Sequence, residues 1–109
     1  MAMKLNCSTD PIIAAVVEET VRLCSPFQVF LVSSKTDSKG ELTAFKLCVI
    51  TDESHSPSET EAKLLINIDC PVPCDFIVYT NTDWSEYSLD DCTFAYRIDN
   101  SGVLLYGKR

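Results

Sequence analysis

Apolar residues recur with a helical period in the first part of the chain. Asp10 is a favourable N-cap residue, and Pro11 suits the first helical position because its missing N–H needs no partner there. Ser25-Pro26 disfavours helical backbone at residue 25. The apolar stripe between these signals comprises Ile13, Val16, Val17, Thr20 and Cys24. The pattern therefore predicts an amphipathic helix from residue 11 to about residue 24.

Two strand-like segments follow this helix. Residues 27–32 are mostly aromatic or β-branched, and residues 44–51 are apolar on both faces except for Lys46. Residues 33–40 between them are small and polar and end in glycine, so we expect a connection there. Two strands joined by a short polar connection are predicted to pair antiparallel.

A second helix is indicated by a capping box, with Ser58 as the cap and Glu61 reaching back to it. This helix is expected to end near Asp69. The residues expected to face the core are Ala62, Leu65 and Ile66. Residues 74–79 then form a third strand. A strand–helix–strand unit of this length predicts a parallel, right-handed crossover.

Two short helices and a last strand complete the pattern. Asn81 or Thr82 is expected to cap the first helix, and Asp90 or Asp91 the second. The first carries Trp84 and Tyr87, and the second carries Phe94, Ala95 and Ile98. After a turn at residues 100–102, a short strand from Val103 to Tyr106 is predicted.

These elements define an α+β fold, in which helices pack on a mixed sheet of three or four strands. A length of 109 residues fits one domain, which we expect to span residues 1–109 with a disordered segment at residues 1–9. Acidic residues outnumber basic ones by 16 to 9, so nucleic-acid and membrane binding are disfavoured. A nucleotide that arrives with a divalent cation is not disfavoured in the same way.

Six cysteines are spread along the chain, namely Cys7, Cys24, Cys48, Cys70, Cys74 and Cys92. No apolar stretch approaches the ~20 residues of a membrane span, and residues 1–10 do not look like a secretory signal. We therefore predict a cytoplasmic protein with reduced thiols that serve mainly as small apolar residues of the core.

The order of these elements resembles the minimal nucleotidyltransferases of the DNA polymerase beta-like superfamily. The stretches that carry the resemblance are residues 29–34, residues 74–80 followed by Trp84, residues 94–98 and residues 102–106. Residues 29–34 look like the strand that runs into the family's Gly-Ser turn. The resemblance implies a nucleotidyltransferase-like sheet and, as in many members of the family, a helical partner protein, in some cases as an antitoxin module.

The catalytic carboxylates of that family are largely missing here. Its members hold divalent metal with two carboxylates one residue apart on the second strand and a third on the third strand, which is an arrangement that strand alternation explains. The matching second-strand positions are Ala44 and Lys46. Ser33 replaces the glycine of the turn, and only Ser34 and Asp75 match. By this resemblance the positions form a vestigial site with no catalytic residue, no metal and no cofactor.

Lys46 and Asp75 are predicted to lie on the same face of neighbouring strands. An ion pair between them would satisfy both groups where the metals would have been. The alternative is that the Lys46 stem packs on the sheet and its ammonium group reaches water.

Other chemistry-bearing residues favour simpler explanations. Cys70 and Cys74 lack a second ligand pair for zinc and have the wrong spacing for a redox dithiol. His55 stands alone in a polar loop, and Trp84 and Tyr87 are expected to pack on the sheet.

Two functions remain open. The preferred one is a non-catalytic domain that binds a helical protein partner or a nucleotide. The alternative is an active, Mg²⁺-dependent nucleotidyltransferase with a carboxylate site rebuilt from Asp37, Glu41 or Asp52. A homodimer through the strand from Val103 to Tyr106 is also expected if that strand lies at a sheet edge.

Overall fold

The computed structural model describes residues 10–108, so the expected disordered segment at residues 1–9 lies outside the described residues. The elements in chain order are α1 (Pro11–Cys24), β1 (Gln28–Thr36), β2 (Leu42–Thr51), α2 (Pro57–Asn67), β3 (Cys74–Thr80), α3 (Asn81–Tyr87), α4 (Phe94–Ser101) and β4 (Val103–Gly107). No helix within this part of the chain is long and apolar enough to cross a membrane.

The four strands form one mixed sheet in the order β3-β2-β1-β4. β1 pairs antiparallel with β2 and with β4, and β2 pairs parallel with β3 across the α2 crossover. The predicted α+β fold with a mixed sheet is confirmed, as are the antiparallel β1–β2 pair and the parallel crossover. β4 is an edge strand, as the sequence predicted.

Each face of the sheet is covered by two helices. Phe45, Leu47 and Val49 of β2 pack in one core with α1 and α2. Cys48 and Ile50 point the other way and pack with α3 and α4. Because neighbouring residues of a strand point to opposite faces, β2 alone supplies both cores of a three-layer structure.

The first helix and the tryptophan follow their predictions. The Asp10 carboxylate accepts a hydrogen bond from the Ile12 N–H at 2.8 Å, and Ser25, which has a left-handed φ of 44°, is the C-cap of α1. The predicted stripe is buried apart from its last residue, Cys24, which is half-buried. Trp84 is buried, with its ring 5.3 Å from Phe30 on the sheet.

The second helix begins two residues earlier than the capping box predicted. Ser56 is the N-cap: its hydroxyl accepts a hydrogen bond from the Glu59 N–H at 3.2 Å and donates one to the Glu59 carboxylate at 3.0 Å. The predicted cap, Ser58, lies inside the helix. The physical reason is Pro57, which lacks an N–H and therefore suits the first helical position.

The buried face of α2 also differs from the prediction. Thr60 and Leu64, four residues apart, are buried. Leu65 and Ile66 lie about 100° and 200° further around the helix axis, and Ala62 is exposed like them. Ile66 is 81% exposed. The orientation in which α2 packs on the sheet, and not residue type alone, determines that Leu64 is buried and Leu65 is exposed.

The hairpin between β1 and β2 is tighter than predicted. Ser33 to Thr36 continue β1, so only residues 37–41 form the connection. Gly40 takes a φ of 82° there, and the Asp37 carboxylate accepts hydrogen bonds from the N–H groups of Lys39 and Glu41. Exposed polar residues can occupy a strand here because ladder hydrogen bonds involve only the backbone.

Threonines cap the two short helices in place of the expected residues. The Thr80 hydroxyl accepts a hydrogen bond from the Asp83 N–H, and the Thr93 hydroxyl accepts one from the Tyr96 N–H, both at 3.2 Å. Asp90 instead accepts a hydrogen bond from the Cys92 N–H in the turn before α4. The expected caps at Asn81 or Thr82 and at Asp90 or Asp91 are therefore wrong.

β4 closes onto the start of β1 through a glycine. Gly107 pairs with Gln28 and has a φ of 94°. A Cβ atom at Gly107 would collide with the Phe27 carbonyl oxygen, so only glycine fits this close approach of two backbones.

The corrected helix start makes a testable prediction. Ser56→Ala removes the hydroxyl that caps α2 and is expected to lower the free energy of unfolding by about 1 kcal/mol. Ser58→Ala changes the residue that the sequence pattern favoured and removes only the 3.3 Å contact of its hydroxyl with that of Ser56, so it is expected to stay within about 0.5 kcal/mol of the wild type. Urea unfolding followed by circular dichroism measures both. Equal losses in the two variants would contradict this assignment of the cap.

Candidate functional site

The sheet register brings the predicted site positions into one row. Ser33 of β1 pairs with Lys46 of β2, which in turn pairs with Asp75 of β3. Neighbouring strands lie about 4.8 Å apart, so these residues are adjacent across the sheet. Lys46 and Asp75 share a face, as expected, because register partners on paired strands point the same way. Ala44, two residues before Lys46, lies on that face as well.

The two serines lie within a strand and not at a turn. The pairing register shifts between Leu31 and Ser33, which places a β-bulge in β1 opposite Lys46. Ser34 continues the pairing with Phe45 on β2. A bulge bends its strand and increases the local twist, and here it does so beside the Lys46 row.

The row lies at the border of the sheet region that α3 and α4 cover. Ser33, Ser34 and Asp75 are exposed, whereas Ala44 and Lys46 are half-buried. Within residues 10–108 the ion pairs do not include one between Lys46 and Asp75, so the expected ion pair is absent there. An exposed carboxylate gains little from such a pair. The half-buried Lys46 fits the alternative, in which its stem packs and its ammonium group faces water.

The three carboxylates considered for a rebuilt metal site do not converge on one point. Asp37 and Glu41 belong to the hairpin before β2, and Asp52 follows its far end. β2 has ten residues and spans roughly 33 Å, so these groups lie at opposite ends of the sheet. In the described part of the chain, only the exposed residues Asp90, Asp91 and Cys92 bring three side chains to metal-ligand spacing.

A cleft that the sequence did not reveal opens at the carboxyl end of β2, between the end of α1 and the start of α2. Its volume is about 360 Å³, and Thr51 lies at its floor. His55, expected to be merely solvated, is exposed and lines this cleft together with Asp52 and Lys63. The signal in the sequence was the strand–helix–strand unit itself, because crevices form where parallel strands end.

The cysteines differ widely in environment. All five described ones are free thiols, namely Cys24, Cys48, Cys70, Cys74 and Cys92. Burial raises the pKa of Cys48 to about 12, and also raises the pKa of Cys24 to about 11 and of Cys74 to about 12. The prediction of a core thiol is confirmed for Cys48 and wrong for Cys92, which is exposed. Cys7 lies outside the described residues.

Comparison with protein-family models, with curated proteins and with solved structures finds no match to this chain. The likeness to the minimal nucleotidyltransferases therefore stays a prediction from residue pattern and element order.

The thiol environments predict selective labelling. At pH 8 a disulfide reagent such as DTNB should modify Cys92 rapidly and leave Cys48 unmodified, because a pKa of about 12 leaves only about 0.01% of that thiol as thiolate. Peptide mass spectrometry of the labelled native protein measures the rate at each position. Denaturant should make the two rates equal, which is the internal control. Equal labelling rates at Cys92 and Cys48 without denaturant would show that the Cys48 thiol is accessible to the reagent in the native protein.

Proposed function

We propose that this chain is a nucleotidyltransferase-like binding domain without transfer chemistry, a pseudoenzyme that acts by binding a protein partner. The observation that carries the proposal is the position of Lys46, in the middle of the row from Ser33 to Asp75. A protonated lysine offers no lone pair to a metal and repels cations. One carboxylate, Asp75, remains where hard cations need several oxygen ligands.

Support against the catalytic alternative comes from the separation of the other carboxylates. Asp37 and Asp52 lie at opposite ends of β2, so neither can complete a shared metal pair with the other. Metal-free binding of a nucleotide is the second candidate, favoured by Lys46, whose ammonium group would attract a phosphate group and whose register partner on β1 is Ser33.

Exposed apolar side chains support a protein partner. Tyr87, Leu89 and Phe94 lie at the junction of α3 and α4, and Leu89 is 84% exposed. The Thr93 hydroxyl donates a hydrogen bond to the Tyr87 carbonyl and holds this junction together. Apolar groups concentrated on a surface mark interaction sites. A helical partner with an apolar stripe suits such a surface, in keeping with an antitoxin-like module.

We also propose a cytoplasmic location, which the free thiols of the described cysteines support.

The decisive experiment is calorimetry with ATP, GTP, CTP and UTP, with and without Mg²⁺ or Mn²⁺. We expect the wild type to show no metal-dependent binding. Ala44→Asp combined with Lys46→Asp restores two carboxylates beside Asp75, and this double variant should gain Mn²⁺ affinity. The matched control, Ala44→Asn with Lys46→Asn, has similar size without the charge and should gain none. Metal-dependent nucleotide binding by the wild type would overturn the proposal.

Homodimer formation through the β4 edge is a separate part of this proposal. β4 is the edge strand of the sheet in the described part of the chain, and two copies of a sheet can join edge to edge. Light scattering after gel filtration should give twice the monomer mass of 12.1 kDa. Val103 is 46% exposed on this edge strand, so Val103→Lys adds a charge to the edge and should make the protein monomeric. A monomeric wild type would rule out the dimer and leave the partner proposal intact.

A further inference from the structure

The cleft at the carboxyl end of β2 is separate from the Lys46 row. Thr51 has the strand parity of Leu47 and Val49, so its side chain faces the side of the sheet that α1 and α2 cover. Lys46 faces the opposite side. The residues lining the cleft that matter below are Cys24, Thr51, Asp52, Glu59 and Lys63.

The floor of the cleft carries an unsatisfied hydroxyl group. Thr51 is only 4% exposed, and its Oγ1 atom has no hydrogen-bond partner among residues 10–108. Thr20, a buried threonine of α1, donates its hydroxyl hydrogen to the Val16 carbonyl at 2.8 Å. A buried hydroxyl without such a partner lowers stability, and a ligand that bonds to it recovers that loss.

Opposite charges line the cleft without neutralising each other. The Lys63 ammonium donates a hydrogen bond to the Leu23 carbonyl at 2.7 Å. The Asp52 carboxylate accepts one from the Ser54 N–H at 2.9 Å, and the Glu59 carboxylate accepts one from the Ser56 hydroxyl. Among the described residues, no ion pair joins Lys63 to either carboxylate.

Both charges act on the same half-buried thiol, that of Cys24, which also lines the cleft. Burial raises the pKa of Cys24 to about 11, Lys63 counters this rise, and Asp52 adds to it. Lys63 and Asp52 therefore both influence the Cys24 thiol, which lines the cleft with them.

This pairing of charges selects the ligand class. A simple anion would be repelled by Asp52 and Glu59. A metal ion would be repelled by Lys63, and the side chains here do not reach the three-ligand spacing found elsewhere in residues 10–108. A zwitterion places each of its charges against the opposite one on the protein. A volume of about 360 Å³ suits a small molecule.

We propose that this cleft binds a free α-amino acid, with its ammonium group at Asp52 and Glu59 and its carboxylate at Lys63 and the Thr51 hydroxyl. The position is one where ligands commonly bind, because it lies beyond the end of a parallel strand and beside the start of the crossover helix. Binding here is independent of the partner and nucleotide proposals for the other face.

The test is a ¹⁵N NMR titration of the full chain with each of the twenty L-amino acids. At least one should cause saturable shifts centred on the amides of Thr51, Asp52 and Lys63. Its N-acetyl derivative lacks the ammonium group and its amide derivative lacks the carboxylate, so each should bind at least about tenfold more weakly. No saturable shift up to about 10 mM for any amino acid would overturn the proposal. Equal binding of both derivatives, or competition by inorganic phosphate alone, would overturn it too.

Matched variants locate the site. Thr51→Val keeps the shape of the side chain and should weaken binding about two- to tenfold, with an unchanged or higher melting temperature because the unsatisfied hydroxyl is removed. Lys63→Met should weaken it by at least about tenfold. The controls Thr36→Val and Lys35→Met make the same changes at exposed residues near the far end of the sheet and should leave affinity unchanged. If the cleft variants bind the amino acid as tightly as these controls do, the binding site is not in the cleft.

Discussion

The structure depends on the burial of β2 on both of its faces. Residues 47–51 are all buried, and β2 is hydrogen-bonded to β1 on one side and to β3 on the other. A strand without a polar face needs apolar cover above and below, which α1 and α2 supply on one side and α3 and α4 on the other. The parallel crossover through α2 and the two-helix segment after β3 follow from that single requirement.

The alternation of β2 also separates the two surfaces to which function is assigned. Lys46 stands near the start of the buried stretch and faces the α3–α4 side, whereas Thr51 ends it and faces the α1–α2 side. Five residues of strand put about 16 Å between them. A ligand in the Thr51 cleft therefore leaves the Lys46 row open, and the sheet between them is a rigid, closely packed connection rather than a hinge.

The sequence predicted those features whose physical cause is local. The Asp10 cap and the stripe of α1 were readable because every signal lay within a few turns of helix. Leu65 and Ile66 were assigned wrongly because the choice between them and Leu64 is made by docking against the sheet. Strand alternation was enough to predict that Lys46 and Asp75 lie on one face. It does not determine whether two solvated side chains form an ion pair, because water competes for both charges. The unsatisfied hydroxyl of Thr51 could not be predicted from the sequence, because it depends on how α1, β2 and α2 pack around it.

The Gly107–Gln28 contact bears on how the chain acquires its structure. The β1–β2 hairpin closes through a five-residue turn and can form as soon as both strands exist. β4 instead joins β1 about 80 residues after it, and pairing across such long separations is slow. Until then the outer edge of β1 is an open template for strands of other molecules. During synthesis on the ribosome, the open edge of β1 therefore favours aggregation. Pairing with β4 covers that edge and ends the hazard.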